Sequence, residues 1–293
     1  MKGRAAETLR AYTELLRISN LPTVFSNVLV GAALGVSGAE IPWEITAHCA
    51  VAVLFLYLAG VACNDAVDAE WDAAARPERP IPSGRLSQRQ AYTITVTGFL
   101  LGLAVFASIG LIAFGIGTLL VAVITLYNLL HKRLAASVVF VGAARGLVYL
   151  AAAAAGGGTL NDSRPFWFVL ALFAYTTAFT MMARSEHQEQ IDNSRWLAAA
   201  IPLIALTPGV WITPDQALLA AGAAIVMIVW QARAVRMVLR APPNTKSAVH
   251  VWLSGFCLID AFYLSVLGYS GLVAVAVACF LVTLLLQRRV MGT

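Results

Sequence analysis

Charge is what this chain has least of. Only 12% of its 293 residues are Asp, Glu, Lys or Arg, against 60% that are hydrophobic, and the mean hydropathy is +0.79. So small a charged fraction cannot cover a water-soluble domain of this length, which excludes a soluble globular protein. Cysteine is scarce as well. Cys49, Cys63, Cys257 and Cys279 stand singly in apolar stretches without ligand or disulfide spacing, so they read as small core residues. No low-complexity linker and no polar block long enough to fold apart is present, which predicts one domain over residues 1–293. No secretory signal precedes the first apolar stretch. Residues 1–19 are charged and amphipathic through Leu9, Tyr12, Leu15 and Leu16, the pattern of an interfacial helix.

What the chain has instead is apolar runs of spanning length, at 20–38, 45–63, 91–108, 110–130, 136–155, 166–183, 196–212, 216–239, 250–268 and 271–287. They predict an all-α polytopic transmembrane bundle. All of the 20 Lys and Arg except Arg145, within a span, and Arg164 fall on one side when those at helix ends are counted. That bias places the N-terminus in the cytoplasm, and with ten spans the C-terminus too. The net charge of +5 is therefore a topology signal rather than a sign of nucleic-acid binding. Gly31, Gly35, Gly98, Gly102, Gly142 and Gly146 recur in pairs four residues apart, which permits close helix packing.

Residues 64–85 interrupt this apolar pattern with four metal-type ligands and then three arginines. If the preceding helix continues, Asn64, Asp68 and Asp72 sit at i, i+4 and i+8 with Asp65 beside them. All four then fall within an arc of roughly 100°, with Glu70 pointing the opposite way. Carboxylates crowded on one stripe repel unless a cation joins them. Hard ions such as Mg²⁺ take oxygen ligands and leave positions open for phosphates. Pro77, Pro80 and Pro82 forbid further helix and fold the segment back, so that Arg76, Arg79 and Arg85 suit a phosphoryl group on that metal. The segment reads as a metal–diphosphate site at a membrane surface.

Other polar residues are placed where they invite a role. Tyr127, Asn128, His131, Lys132 and Arg133 close the fourth span on the same side. Arg145 lies well inside the fifth span, where an unpaired Arg costs at least ~3 kcal/mol, so it should face a polar cavity or a partner. Asp260, midway along the ninth, raises the same question. Arg184 ends the sixth span within reach of a diphosphate. In 184–193, Glu186, Glu189, Gln190 and Asn193 share one helical face while Asp192 points away, so Glu186 and Glu189 suit a second ion.

Asn64, Asp65, Asp68 and Asp72 in the order Asn-Asp-x-x-Asp-x-x-x-Asp, followed by Arg-Pro-x-Arg-Pro-Ile-Pro-Ser-Gly, resemble the first aspartate-rich motif of the UbiA superfamily of intramembrane prenyltransferases. Arg17-Ile18-Ser19-Asn20-Leu21-Pro22-Thr23 at the first span resembles it too, and the likeness, closest to the EboC-like branch, extends over essentially the whole chain. It implies a nine-helix bundle around a central cavity, in which Mg²⁺ on the aspartates holds a polyprenyl diphosphate. It also implies a Lys meeting the diphosphate at the place of Lys132. The chain departs from the family in the loop after the sixth span, where a paired Asp-x-x-x-Asp is usual and Glu186 and Glu189 stand instead.

Together these readings predict a Mg²⁺-dependent prenyltransferase. Asp65, Asp68 and Asp72, helped by Asn64, hold the metal, and Arg79, Lys132 and Arg145 neutralise the leaving diphosphate. The alternatives are ionisation without an acceptor, as in an intramembrane terpene cyclase, or a lipid transporter using Arg145 and Asp260. No constellation specifies the acceptor or the prenyl length.

Overall fold

The computed structural model describes residues 2–36, 40–157, 163–184 and 193–289. Every regular element among them is helical. An amphipathic α1 (Lys2–Leu15) lies across the end of the bundle and buries Ala11 and Leu15 against Ala66, Leu86 and Ala91, leaving Leu9 exposed. The membrane-length helices follow: α2 (Leu21–Val36), α3 (Trp43–Val67), α5 (Gln88–Ile109), α6 (Leu111–Leu130), α7 (Val138–Ala155) and α8 (Ser163–Arg184). After the short α4 (Ala69–Ala75), Gly84, at φ +75°, turns the chain toward α5, which Ser87 and Gln90 open with a reciprocal capping box. Two long helices beyond residue 216, α10 (Ala217–Leu239) and α11 (Thr245–Val266), precede α12 (Ser270–Gln287).

Nine of the ten apolar stretches thus form helices long and apolar enough to cross a membrane, among the described residues. The exception is 196–212. It is built as a 3₁₀ helix (Asn193–Ala200), α9 (Ile201–Leu206) and a second 3₁₀ helix (Thr207–Trp211). Pro202 and Pro208 each sit at the start of a new piece, where a missing N–H breaks the ladder behind it. Laid end to end, the three pieces measure roughly 35 Å because 3₁₀ geometry rises more steeply, against a hydrocarbon layer of ~30 Å.

Ring contacts establish the direction of each passage. Along α8, Phe168, Tyr175 and Phe179 meet Tyr263, Phe256 and Trp252 in turn, so α8 and α11 are antiparallel. On α7, Gly142 and Gly146 face Phe173 and Val169, so α7 and α8 are antiparallel too. Gly31 faces Tyr149 and Ala152 while Gly35 faces Ala153, so α2 and α7 run parallel. It follows that α11 leaves the same end as α2. The hairpin at 267–269 then returns α12 to that end, where it meets the turn at Ile18–Asn20. The end of α12 and the start of α2 lie together, with the aspartates.

Two helices are the interior of the bundle: α11 is 89% buried and α2 72%, whereas the other long helices range from 22% to 50%. The six glycines paired by spacing lie at close helix contacts. A Cβ on Gly31 would stand 2.6 Å from both the Ala152 Cβ and the Tyr149 carbonyl oxygen. All four cysteines are buried and unpaired. An apolar groove of about 480 Å³, lined by Leu219, Gly222, Val226, Leu258, Ala261 and Val273, opens between α10, α11 and α12 toward the end opposite the aspartates.

Candidate active site

Helical hydrogen bonding carries on past the end of α3. Asp68 N–H donates to Asn64 O (2.9 Å), Asp72 N–H to Asp68 O (2.8 Å) and Arg76 N–H to Asp72 O (2.7 Å). The i, i+4, i+8 spacing therefore holds, and it turns Asp65, Asp68 and Asp72 inward to 6%, 6% and 1% exposure while Glu70 faces outward. Three carboxylates buried so close together need compensation, and four basic side chains from three segments supply it. Arg17, just before α2, places Nη2 2.8 Å from Asp65 Oδ1 and 3.0 Å from Asn64 Oδ1. Arg79, brought back by the proline turns, reaches Asp72 Oδ2 at 2.7 Å and Asp65 Oδ1 at 3.5 Å. From the end of α6, His131 Nε2 approaches Asp68 to 3.0 Å, and Lys132 Nζ stands 3.3 Å from Asp68 Oδ2 and 3.7 Å over the Trp71 ring. Asn128 accepts from the Asn64 amide (3.1 Å) and donates to Gly60 O, fixing which way Asn64 faces.

The electrostatics follow from these partners. Burial alone pushes the Asp68 carboxyl up, but the hydrogen bond and charge of His131 with the Lys132 ammonium hold it below the usual range. Burial works against the Arg17 charge, yet Asp65 beside it, with Tyr57 and Tyr127, raises its pKa above the ordinary value. Arg17 also occupies left-handed backbone (φ 45°, ψ 49°), which costs a non-glycine residue ~1 kcal/mol. Its bonds to Asp65 and Asn64, and the Tyr57 hydroxyl donating to its carbonyl at 3.1 Å, hold it there.

Among the described residues no three acidic, His or Cys side chains already converge as a metal cage. The aspartates are instead spaced along one helical stripe, each engaged by a side-chain cation. Neither Asp72 Oδ1 nor Asp68 Oδ1, both buried, accepts a hydrogen bond; His131 bonds Asp68 Oδ2 but its Nε2 also lies 3.0 Å from Asp68 Oδ1, which leaves Asp72 Oδ1 as the carboxylate oxygen with no described partner. Buried carboxylate oxygens in that state are destabilising until a positive group joins them. The donor set, three carboxylates and an amide oxygen, is the chemistry that hard divalent cations take.

The sequence profile of the UbiA prenyltransferase family matches residues 24–253, most of the chain and all of this site beyond Arg17. The chain belongs to the UbiA prenyltransferase family. Curated relatives are named digeranylgeranylglyceryl phosphate synthase: that of Ignicoccus hospitalis is 41% identical over 34% of this chain and 33% of its own. That of Methanopyrus kandleri is 35% identical over 41% and 43%. The matched stretch thus spans less than half the length of either relative. In fold, a UbiA homologue from Archaeoglobus fulgidus bound to GPP and Mg²⁺ superposes with a TM-score of 0.65, at 14% identity, over 90% of this chain and 99% of that one.

Within this UbiA-family bundle the basic residues expected at the site separate into groups. Arg79 and Lys132 stand on the aspartates. Arg76 forms no ion pair with a described residue. Arg85 is turned away: it pairs with Glu14 Oε2 (2.6 Å) and donates to Glu78 O (2.7 Å), tying the proline loop to α1. That geometry corrects the expectation that all three arginines face the aspartates, because Glu14 is the acid Arg85 meets first. Arg184 donates to Leu134 O and Ser137 Oγ, both at 3.3 Å, at the start of α7. Glu186 and Glu189 lie outside the described residues. Arg17 and His131 are the members sequence reasoning gave no role. Arg17 had only its place in the motif opening the first span as a signal, and His131 only its position next to Lys132.

Deeper in the bundle, Arg145 and Asp260 do not pair directly. Arg145 Nη1 donates to Asn27 Oδ1 (2.5 Å) and Thr23 O (3.4 Å), and Nη2 to Thr23 Oγ1 (3.1 Å), with the guanidinium 4.1 Å over the Phe256 ring. Asp260 accepts from Ser26 and Tyr149 (2.5 Å each) and from the Asn27 amide at 2.8 and 3.0 Å.

Proposed function

We propose that this protein is an integral-membrane, Mg²⁺-dependent prenyltransferase that moves a prenyl group from a polyprenyl diphosphate to an acceptor within the bilayer. The observation that carries this reading is the buried carboxylate stripe, provided with its own exchangeable cations and an unsatisfied Asp72 oxygen, at the mouth of an apolar bundle. Asp65, Asp68 and Asp72, with Asn64, would hold Mg²⁺, which supplies Lewis-acid charge to diphosphate oxygens. Arg17, Arg79 and Lys132 then exchange carboxylate partners for diphosphate oxygens, an anion that guanidinium and ammonium groups bind well. As the bond between C1 and oxygen breaks, its electron pair leaves with the diphosphate, where these cations and Arg145 stabilise the growing charge. The allylic cation left behind is met by the acceptor, whose nucleophilic atom bonds to C1 and gives up its proton to the released diphosphate. The apolar walls of α2, α7 and α11 exclude water that would otherwise capture that cation.

The transport alternative rested on Arg145 and Asp260 as pathway residues. Both are bound into one hydrogen-bonded network, which favours a fixed interior over a conducting path. The bias of Lys and Arg supports a cytoplasmic aspartate end. The names of the curated relatives make a glyceryl phosphate lipid the acceptor to test first. Membranes containing the protein should convert radiolabelled geranylgeranyl diphosphate to a prenylated lipid with Mg²⁺ and not with EDTA. Asp68→Asn should reduce conversion at least 100-fold, and Glu70→Gln, on the outward face, less than twofold. Near-normal conversion by Asp68→Asn would refute the assignment.

A further inference from the structure

Arg145 is held in an unusual way for a cation inside a membrane bundle. Its nearest acid, Asp260, does not touch it, and Asn27 stands between them. The Asn27 amide nitrogen donates to both Asp260 oxygens, at 3.0 and 2.8 Å, and its oxygen accepts from Arg145 Nη1 at 2.5 Å. Only this orientation of the amide is allowed. Reversed, it would face a carboxylate with its oxygen and a guanidinium with its nitrogen, two like-ended contacts in a buried site. Asp260 is locked in turn by Ser26 and Tyr149, and Asp260, Asn27, Ser26 and Tyr149 are all 0% exposed.

The relay has a consequence for the guanidinium. A direct carboxylate pair would occupy two of its five N–H groups on one side. Here Asn27 Oδ1, Thr23 O and Thr23 Oγ1 take three, Phe256 supports one face of the plane, and among the described residues no acceptor takes the other two N–H groups of this partly accessible residue. Thr23 is itself fixed, its hydroxyl donating to Asn20 O at 2.8 Å. Arg145 therefore has a set direction, a balanced charge and donors to spare.

We propose that Asp260 is a positioning residue for prenyl transfer: acting through Asn27, it aims the Arg145 guanidinium so that its two free donors meet substrate oxygen. The proposal rests on the prenyltransferase reading and adds to it a residue that touches no substrate. Because Asp260 works through Arg145, its effect disappears when Arg145 is gone.

A double-mutant cycle tests this. Turnover and KM for geranylgeranyl diphosphate would be measured for wild type, Asp260→Asn, Arg145→Leu and the double variant, with size-exclusion profiles to establish folding. Asp260→Asn should lower kcat at least tenfold with KM changed less than threefold. In the Arg145→Leu background the same change should cost less than twofold. Should Asp260→Asn fail to fold, Asn27→Ala with Arg145→Leu forms the same cycle and should show the same non-additivity. Equal losses in both backgrounds would mean a purely structural Asp260 and overturn the proposal, as would a fully active Arg145→Leu. A wild type that turns over no prenyl diphosphate would refute the prenyltransferase reading, and the positioning role with it; an active wild type with an additive cycle refutes the positioning role alone.

Discussion

Removing Arg79 should make the stability of this protein depend on Mg²⁺. Arg79 is 14% exposed and places Nη1 2.7 Å from Asp72 Oδ2 and 3.5 Å from Asp65 Oδ1, carboxylates 1% and 8% exposed at their side chains. At an effective dielectric constant near 20 the two attractions amount to roughly 6 and 5 kcal/mol before desolvation, most of which burial cancels. What remains on deleting one partner of a buried pair is about 3–5 kcal/mol, because a charge is left without compensation. Asp65 keeps Arg17 at 2.8 Å, so the lower figure applies. For a chain of 293 residues about 3 kcal/mol corresponds to a fall in melting temperature of roughly 5 °C. Arg79→Gln in detergent should therefore melt that much lower in EDTA. Millimolar Mg²⁺ should recover most of the loss, since a divalent ion brings charge to the same oxygens, whereas it should shift the wild type far less. Arg85→Gln is the control: its partners, Glu14 and the Glu78 carbonyl, lie away from the aspartates, so Mg²⁺ should not restore any loss there. If Arg79→Gln melts like wild type in EDTA, the ion pairs do not carry this energy. If its deficit persists in Mg²⁺, the aspartates are not a divalent site.

Two further outcomes follow from the packing. Gly35→Ala would drive a Cβ into the Ala153 backbone where α2 meets α7, and should destabilise by ~1–3 kcal/mol; Gly115→Ala, with open space around it, should be neutral or stabilise by ~0.5–1 kcal/mol, both read by thermal melts. Green fluorescent and alkaline phosphatase reporters fused after Thr293 should report the same side as N-terminal fusions, because α12 returns to the end from which α2 departs; opposite sides would refute the ten-passage topology.

The aspartate stripe was legible because its spacing is local: residues four apart on a helix share a face whatever surrounds them, and Asn64, Asp68 and Asp72 needed nothing else. Glu70 was legible as outward for the same reason. The glycine pairs were too, since close approach of helices leaves a four-residue mark. What sequence could not supply was partner choice. Arg17 lies 48 residues before Asp65, and His131 lies 63 after Asp68, so both depend on how α2 and α6 dock against α3. Arg85 is near the aspartates along the chain, yet α1 folds across and offers Glu14. The broken apolar stretch at 196–212 was a different failure. Pro202 and Pro208 stood in the sequence as breakers, but apolar length alone could not reveal 3₁₀ geometry between them.

The bundle stores positive charge in two ways, and the difference bears on catalysis. At the end of α3, Arg17, Arg79 and Lys132 pair directly with carboxylates, of which Asp72 has an oxygen to spare, so a metal-bound diphosphate would only exchange one set of ionic partners for another. Their charge is mobile between acid and substrate. In the interior, Arg145 is balanced through a neutral amide by an acid whose two oxygens are both taken, and no competing ligand can displace it by offering a metal. Its charge is fixed. Stabilising a leaving group is most effective with dipoles and charges that need not reorganise as the bond breaks. The surface cations thus suit capture and release of the diphosphate, and the fixed guanidinium suits the moment at which negative charge develops on it.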